Sequence, residues 1–215
     1  YNHPNLVKLM DTKVYDRFLQ NNISMTFCPP TDIAELHKTI MQPAAPHNNL
    51  KMVHLSTDIS GELANESAIR AAMVRHHLLH NDKGFDPSYE NPNNDYQVIS
   101  FKGSYHGSTL GTLSLSNHPK KTNLPIKNWT VLDFPESESE EGRILESYED
   151  ALRDNKGKVA AVIVEPLQTL TYKHASPNFY NKLRQLAQEH EVTFIVDETY
   201  SGCGATGTFW AHEQW

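Results

Sequence analysis

The run Thr193-Phe194-Ile195-Val196 stops abruptly at two acids, Asp197-Glu198, and it restricts the possible fold more than any other stretch of the chain. Four β-favouring residues without polar alternation predict a strand covered on both faces, as in a parallel sheet lying between helices. Val159–Val164 repeats the design and runs into Glu165-Pro166. Between the two runs, Ser176-Pro177 opens a helix with proline at its first position, and Phe179, Leu183, Leu186 and Ala187 form its apolar stripe. The three segments read as one βαβ unit. Ligands of open α/β sheets meet the carboxyl ends of the strands, so Glu165 and Asp197 should converge on one edge where a cofactor or substrate would lie. A single acid there could merely cap the next turn, but two in this arrangement point to a functional role.

The other segments continue the alternation. Thr31 can cap a helix carrying Ile33, Leu36 and Ile40, which Pro43 and Pro46 end, and residues 51–57 read as a strand. A turn at residues 58–61 leads into an uninterrupted helix from Glu62 to about His80. Strand, glycine turn and helix start present backbone N–H groups and the positive end of a helix dipole, which is a phosphate site in outline and also the outline of an ordinary βα turn. Residues 81–95 read as a loop, and residues 96–101 as a strand running into Gly103-Ser104-Tyr105-His106-Gly107-Ser108. Glycines on both sides of Tyr105-His106 allow a tight turn with a ring projecting over a flat ligand. The serines are misplaced for a nucleophile elbow. Residues 128–134 read as a strand, and residues 143–154 as a helix burying Ile144, Leu145, Tyr148 and Leu152. The expected fold is therefore α/β, with a mostly parallel sheet and helices on both faces.

Composition bounds what such a fold could do. At 215 residues the chain can bury a sizeable core, and no internal repeat, linker or second domain is apparent. A net charge of −7 argues against a nucleic-acid partner, and no apolar run approaches a membrane span. Part of the acidic excess lies in residues 136–141, which read as a solvated loop. Cys28 and Cys203 have no metal-ligand spacing and are too few for a disulfide framework. His76, His77 and His80 share one helix, but no Cys or acid completes a metal shell, so they read as surface histidines and no metal is expected. Neither a dinucleotide fingerprint nor a P-loop occurs.

These motifs together resemble the class III, fold-type I aminotransferases that depend on pyridoxal 5'-phosphate, most nearly the 4-aminobutyrate (GABA) type. The resemblance runs from Tyr1-Asn2-His3-Pro4 to the closing Thr206-Gly207-Thr208-Phe209-Trp210-Ala211-His212-Glu213. It also rests on Gly61 with Ala64-Asn65-Glu66, on Phe101-Lys102-Gly103-Ser104-Tyr105-His106-Gly107, on Val164-Glu165-Pro166 and on Val196-Asp197-Glu198. It implies the family's large domain over residues 1–215, with the small C-terminal domain lying outside the chain. It implies that Asp197 pairs with the pyridine nitrogen, that Tyr105 stacks on the ring beside His106, and that the turn at Ser60, Gly61 and Glu62 holds the phosphate. In GABA-selective members the glutamate matching Glu165 helps sort the half-reactions, while Gln168 and Ser108 fall at substrate-binding positions. A homodimer or larger assembly, a small amino acid substrate and a mitochondrial matrix location, or alternatively a cytoplasmic one, are implied in the same way.

Several positions depart from the family pattern. Glu62 stands where a small hydroxyl residue usually follows the glycine of the phosphate turn. Ser108 replaces the arginine that grips the substrate carboxylate, and Tyr200 replaces a small or amide residue. The segment after Pro166 is shortened, to Thr169-Leu170-Thr171-Tyr172-Lys173. The family's Schiff-base lysine would lie beyond Trp215, and the chain opens on Tyr1 rather than Met, so it is expected to be a piece of something longer. Two functions are carried forward: an ω-amino acid aminotransferase, and a degenerate aminotransferase fold serving as a structural subunit.

Overall fold

The computed structural model describes residues 4–10, 60–80, 95–116, 124 and 126–215. The helix expected at residues 31–40, the strand at 51–57 and all but the end of the loop at 81–95 lie outside the described residues. The chain divides into two compact units, Tyr1–Asp58 and Ile59–Trp215. Within the first, Pro4–Met10 forms a helix, α1, with proline at the position where a missing N–H costs nothing.

The described residues of the second unit form four strands: β1 (Gln97–Phe101), β2 (Val131–Leu132), β3 (Val159–Val164) and β4 (Thr193–Val196). Their order is β2-β1-β3-β4 and every pairing is parallel. β3 and β4 are neighbours, in register from Ala161 opposite Thr193 to Val164 opposite Val196. Every residue of β3 is buried. The period-2 alternation of a strand sends Val162 and Val164 into one apolar cluster and Ala161 and Ile163 into another, so the sheet is covered on both sides.

Among the described residues of this unit, four helices form the covering layers: α2 (Gly61–His80), α3 (Leu110–Ser114), α4 (Glu141–Asp154) and α5 (Pro177–Glu189). α2 supplies Ile69 and Ala72 to one cluster. α4 and α5 supply Ile144, Tyr148, Leu152, Phe179, Leu183 and Ala187 to the other. α5 crosses over between β3 and β4. Its N-cap is Ser176, whose hydroxyl accepts the Phe179 N–H, and its Leu183 is fully buried with Leu186 packed alongside. None of the described helices is long and apolar enough to cross a membrane.

Three expectations need correcting. The strand expected over residues 128–134 is only Val131–Leu132, because β1 turns away at Gly103 (φ +85°) after Lys102 donates to the Leu132 carbonyl. Beyond that point β1 offers Asp133 and Phe134 no strand partner. The acidic run is not simply a solvated loop. Glu138–Glu140 is a 3-10 turn, and the buried Glu141 opens α4, accepting from the Ser176 N–H at 2.7 Å and its hydroxyl at 2.6 Å. His76 is not a surface residue either. It is 2% exposed, its Nε2 donates to the Gly157 carbonyl at 3.0 Å, and Tyr96 meets its ring edge-on. Among the described residues, no group of three or more potential ligands is placed to hold a metal ion.

Candidate active site

Glu165 and Asp197 leave the carboxyl ends of two adjacent parallel strands, and the loop after β1 lies across both. The Asp197 carboxylate is 5% exposed and receives four donors. Its Oδ2 accepts from Asn65 Nδ2 and from His106 Nδ1, each at 2.8 Å. Its Oδ1 accepts from the Thr199 hydroxyl at 2.6 Å and the Thr199 N–H at 3.1 Å. Burial pushes the Asp197 carboxyl upward, but the hydrogen bond and charge of His106, with the Thr199 donors, outweigh it and hold the group below the ordinary aspartate range.

Glu165 is as deeply buried and behaves in the opposite way. Its Oε2 accepts the Tyr105 N–H at 2.9 Å, and its Oε1 accepts the Thr169 hydroxyl at 2.7 Å and N–H at 3.3 Å. Burial nevertheless prevails over these donors and lifts its carboxyl above the ordinary glutamate range, with the nearby Asp197 charge acting in the same direction. Two carboxylates with environments that push them apart thus grip consecutive loop residues, Tyr105 and His106. Such a pair sets a carboxyl that ionises more readily than usual beside one that holds its proton more tightly than usual.

The rest of the loop is held by α2. Gly107 sits at φ +127°, and a Cβ there would collide with the Cβ of Glu62, so the loop backbone passes directly over that side chain. Glu62 Oε2 accepts the Ser108 N–H at 2.8 Å, and Glu66 Oε2, one turn on, accepts the Thr109 hydroxyl at 2.5 Å. The exposed Ser108 hydroxyl lies 2.8 Å from the Tyr105 hydroxyl. Ser60 caps α2: its hydroxyl accepts the Leu63 N–H at 3.4 Å and its carbonyl accepts the Ala64 N–H at 3.1 Å. The Gly61 backbone packs against the Thr199 side chain, so the start of α2 and the Asp197 turn are neighbours.

Gln168 is fully buried beneath the loop, donating to the Lys102 carbonyl at 2.9 Å and the Ser104 hydroxyl at 3.2 Å and accepting from the Thr171 hydroxyl at 2.6 Å. Tyr200 is 58% exposed. Glu198 turns away from the site and receives the Ala211 N–H, the His212 N–H and His212 Nδ1 at 2.7–2.9 Å, which fixes the closing 3-10 turn Ala211–Gln214. Two residues at the centre, Asn65 and Thr199, were given no role on sequence grounds. Asn65 did carry a signal, since it lies in helical phase with the buried Ile69, Ala72 and His76.

The aminotransferase class-III family profile matches residues 1–215. The mitochondrial 4-aminobutyrate aminotransferase of Homo sapiens is 33% identical over 242 residues, covering 100% of this chain and 48% of that protein. The 4-aminobutyrate aminotransferase of Schizosaccharomyces pombe is 34% identical over 240 residues, with 100% and 50% covered. Among solved structures, the lysine aminotransferase of M. tuberculosis superposes with a TM-score of 0.75 at 27% identity, over 96% of this chain and 49% of that one. The chain spans about half the length of the curated relatives it matches. These relatives are aminotransferases by name and lend no support to a purely structural subunit. With the family profile matched from end to end and the sheet, helices and paired acids arranged as described, the chain belongs to the class-III aminotransferases.

Proposed function

We propose that this chain supplies the large domain of an ω-amino acid aminotransferase of the 4-aminobutyrate type, which moves an amino group to a 2-oxo acid with a pyridoxal cofactor. The observation that carries the reading is the pair Asp197 and Glu165, buried at adjacent strand ends, pushed in opposite directions and bracing the Tyr105-His106 loop. The mammalian relatives are named as mitochondrial, which supports the same compartment for this protein, and a homodimer is the assembly that the family resemblance implies.

The family implies pyridoxal phosphate, and the two ends of that molecule fit the chain unequally. Asp197 suits the charge of the ring end, because a buried carboxylate held ionised complements a protonated ring nitrogen, whose N–H would take the place of one of its four present donors. A ring kept protonated in this way serves as an electron sink when bound. Asn65 and Thr199 hold the carboxylate in place, His106 reinforces its charge, and Tyr105 is the aromatic face next to it in the loop. Glu165 anchors the Tyr105 backbone and retains a proton more readily than an ordinary glutamate. Ser108 offers a hydroxyl at the exposed edge where a substrate would enter, and Gln168 fixes the base of the loop from below. The phosphate end does not fit as it stands. In the turn of Ser60, Gly61 and Glu62 the serine hydroxyl is used as a helix cap, and the third residue brings its own carboxylate.

The test is amino transfer from 4-aminobutyrate by the full-length protein that carries this segment. Asp197→Ala should lower the rate by about a hundredfold or more, the loss typical when a buried electrostatic partner of the reacting group is removed. Unimpaired transfer by that variant, or no transfer by the unmodified protein, would sink the reading.

A further inference from the structure

We infer that Glu62 determines which ligand the site accepts: its carboxylate stands in for a ligand's anion at the start of α2, so the site favours a pyridoxal-type ring without a phosphate over the same ring carrying one. This rests on the ring site proposed above and concerns the opposite end of the ligand.

Glu62 is the second residue of α2, at the helix end where the dipole favours negative charge. Its Oε2 takes the Ser108 N–H at 2.8 Å, a donor on the loop segment that carries Tyr105. Gly107 closes over the stem of this side chain so tightly that even a Cβ would collide, which fixes where the side chain starts. Two further donors of this turn are also committed: Leu63 N–H to the Ser60 hydroxyl and Ala64 N–H to the Ser60 carbonyl. One turn along the same face, Glu66 takes the Thr109 hydroxyl and lies against Gly111. Among the described residues, no lysine or arginine forms an ion pair with Glu62 or Glu66; Lys102 pairs with Asp133 and Lys173 with Glu136. The start of α2 therefore already holds the negative charge that its dipole and the loop N–H can stabilise. A dianion arriving there would displace Glu62 or lie beside two carboxylates that no cation among the described residues offsets. A neutral hydroxymethyl group meets no such opposition.

The experiment compares the unmodified chain with Glu62→Gln, which keeps an acceptor for Ser108 without the charge, and with Glu62→Ala, which removes both. Binding of pyridoxal and of pyridoxal phosphate is titrated by tryptophan fluorescence, and Ser108 amide hydrogen exchange is followed with and without inorganic phosphate. The unmodified chain should bind pyridoxal at least as tightly as pyridoxal phosphate, and Glu62→Gln should shift the preference toward the phosphate by about tenfold. Ser108 exchange should be slow in the unmodified chain and in Glu62→Gln and faster in Glu62→Ala, where added phosphate should slow it again. A strong preference of the unmodified chain for pyridoxal phosphate that Glu62→Gln leaves unchanged would overturn the inference, as would identical Ser108 exchange in all three proteins. If neither ring compound binds any of them while phosphate still protects Ser108 in Glu62→Ala alone, the ring site is wrong and the role of Glu62 stands.

Discussion

The Asn65 side-chain amide donates to Asp197 Oδ2 at 2.8 Å and to the His106 carbonyl at 3.0 Å, so one group on α2 fixes both the acid after β4 and the loop after β1. Removing it strips a buried carboxylate of one donor and leaves a buried carbonyl short of another. Asn65→Ala should cost about 2–4 kcal/mol, the sum expected for one charged and one neutral hydrogen bond. Asn65→Asp keeps the shape but sets a second carboxylate against Asp197, so its deficit should be larger at neutral pH than near pH 4, where one of the two can take up a proton. Urea unfolding of both variants at the two pH values checks this. A loss under half a kilocalorie for Asn65→Ala would show the amide to be incidental.

Asp197 and Glu165 should give stability opposite slopes against pH. The folded-state carboxyl of Asp197 lies below its ordinary 3.8, so its contribution is present above that pH and is lost as the pH falls through the folded value. The carboxyl of Glu165 lies above its ordinary 4.5, so its contribution is present below 4.5 and is lost as the pH rises through the folded value. Asp197→Asn should therefore flatten the acid limb of the unfolding midpoint, whereas Glu165→Gln should flatten the decline above pH 4.5. Slopes of the same sign for the two variants would contradict the arrangement.

How far the sequence anticipated this structure depends on how local each signal was. β3 and β4 were legible because Val159–Val164 and Thr193–Val196 are unbroken apolar runs, and α5 because Ser176-Pro177 caps it within three residues. The glycines around Tyr105-His106 marked the loop, and the strand ends marked both acids. What failed needed a distant partner. Glu141 is buried by Ser176, 35 residues away, and nothing in an acidic run announces that. Glu62 stands out as discordant in the sequence, but the N–H it accepts belongs to Ser108, 46 residues on. β2 was overextended because its length is set by where β1 turns. His76 could have been recognised, since it shares the helical phase of Ile69 and Ala72.

His76 should make the protein acid-sensitive well above the carboxylate range. Burial lowers its imidazole below 6.5, and the neighbouring His80, Arg75 and His77 oppose a further positive charge, although the hydrogen bond to the Gly157 carbonyl acts the other way. The fold therefore holds His76 neutral while the unfolded chain binds a proton below pH 6.5. Stability should be level above that pH and fall as the pH drops through the folded value. His76→Leu should remove this slope while losing the bond to Gly157. If the slope below pH 6.5 persists in the variant, the proton is taken up elsewhere.

Tyr148 offers the sharpest separation of packing from polarity. Its ring is fully buried in the cluster with Ile144, Leu152 and Phe179, yet its hydroxyl has no hydrogen-bond partner among the described residues. An unpaired buried hydroxyl costs about 1–3 kcal/mol of desolvation, so Tyr148→Phe should be neutral or stabilise the protein by about 1 kcal/mol. Tyr148→Ala should instead cost about 3–5 kcal/mol, because it forfeits the ring's burial and leaves a cavity. Burial also pushes the phenol far above its ordinary 10.0. The unfolded chain therefore loses this proton first, and the native state should weaken as the pH rises past 10, a loss that Tyr148→Phe would not share. Alkaline unfolding curves of the two proteins should diverge above pH 10 with the phenylalanine form the more stable. If Tyr148→Phe is destabilised by more than a kilocalorie at neutral pH, the hydroxyl has a partner, such as a buried water, that offsets its desolvation.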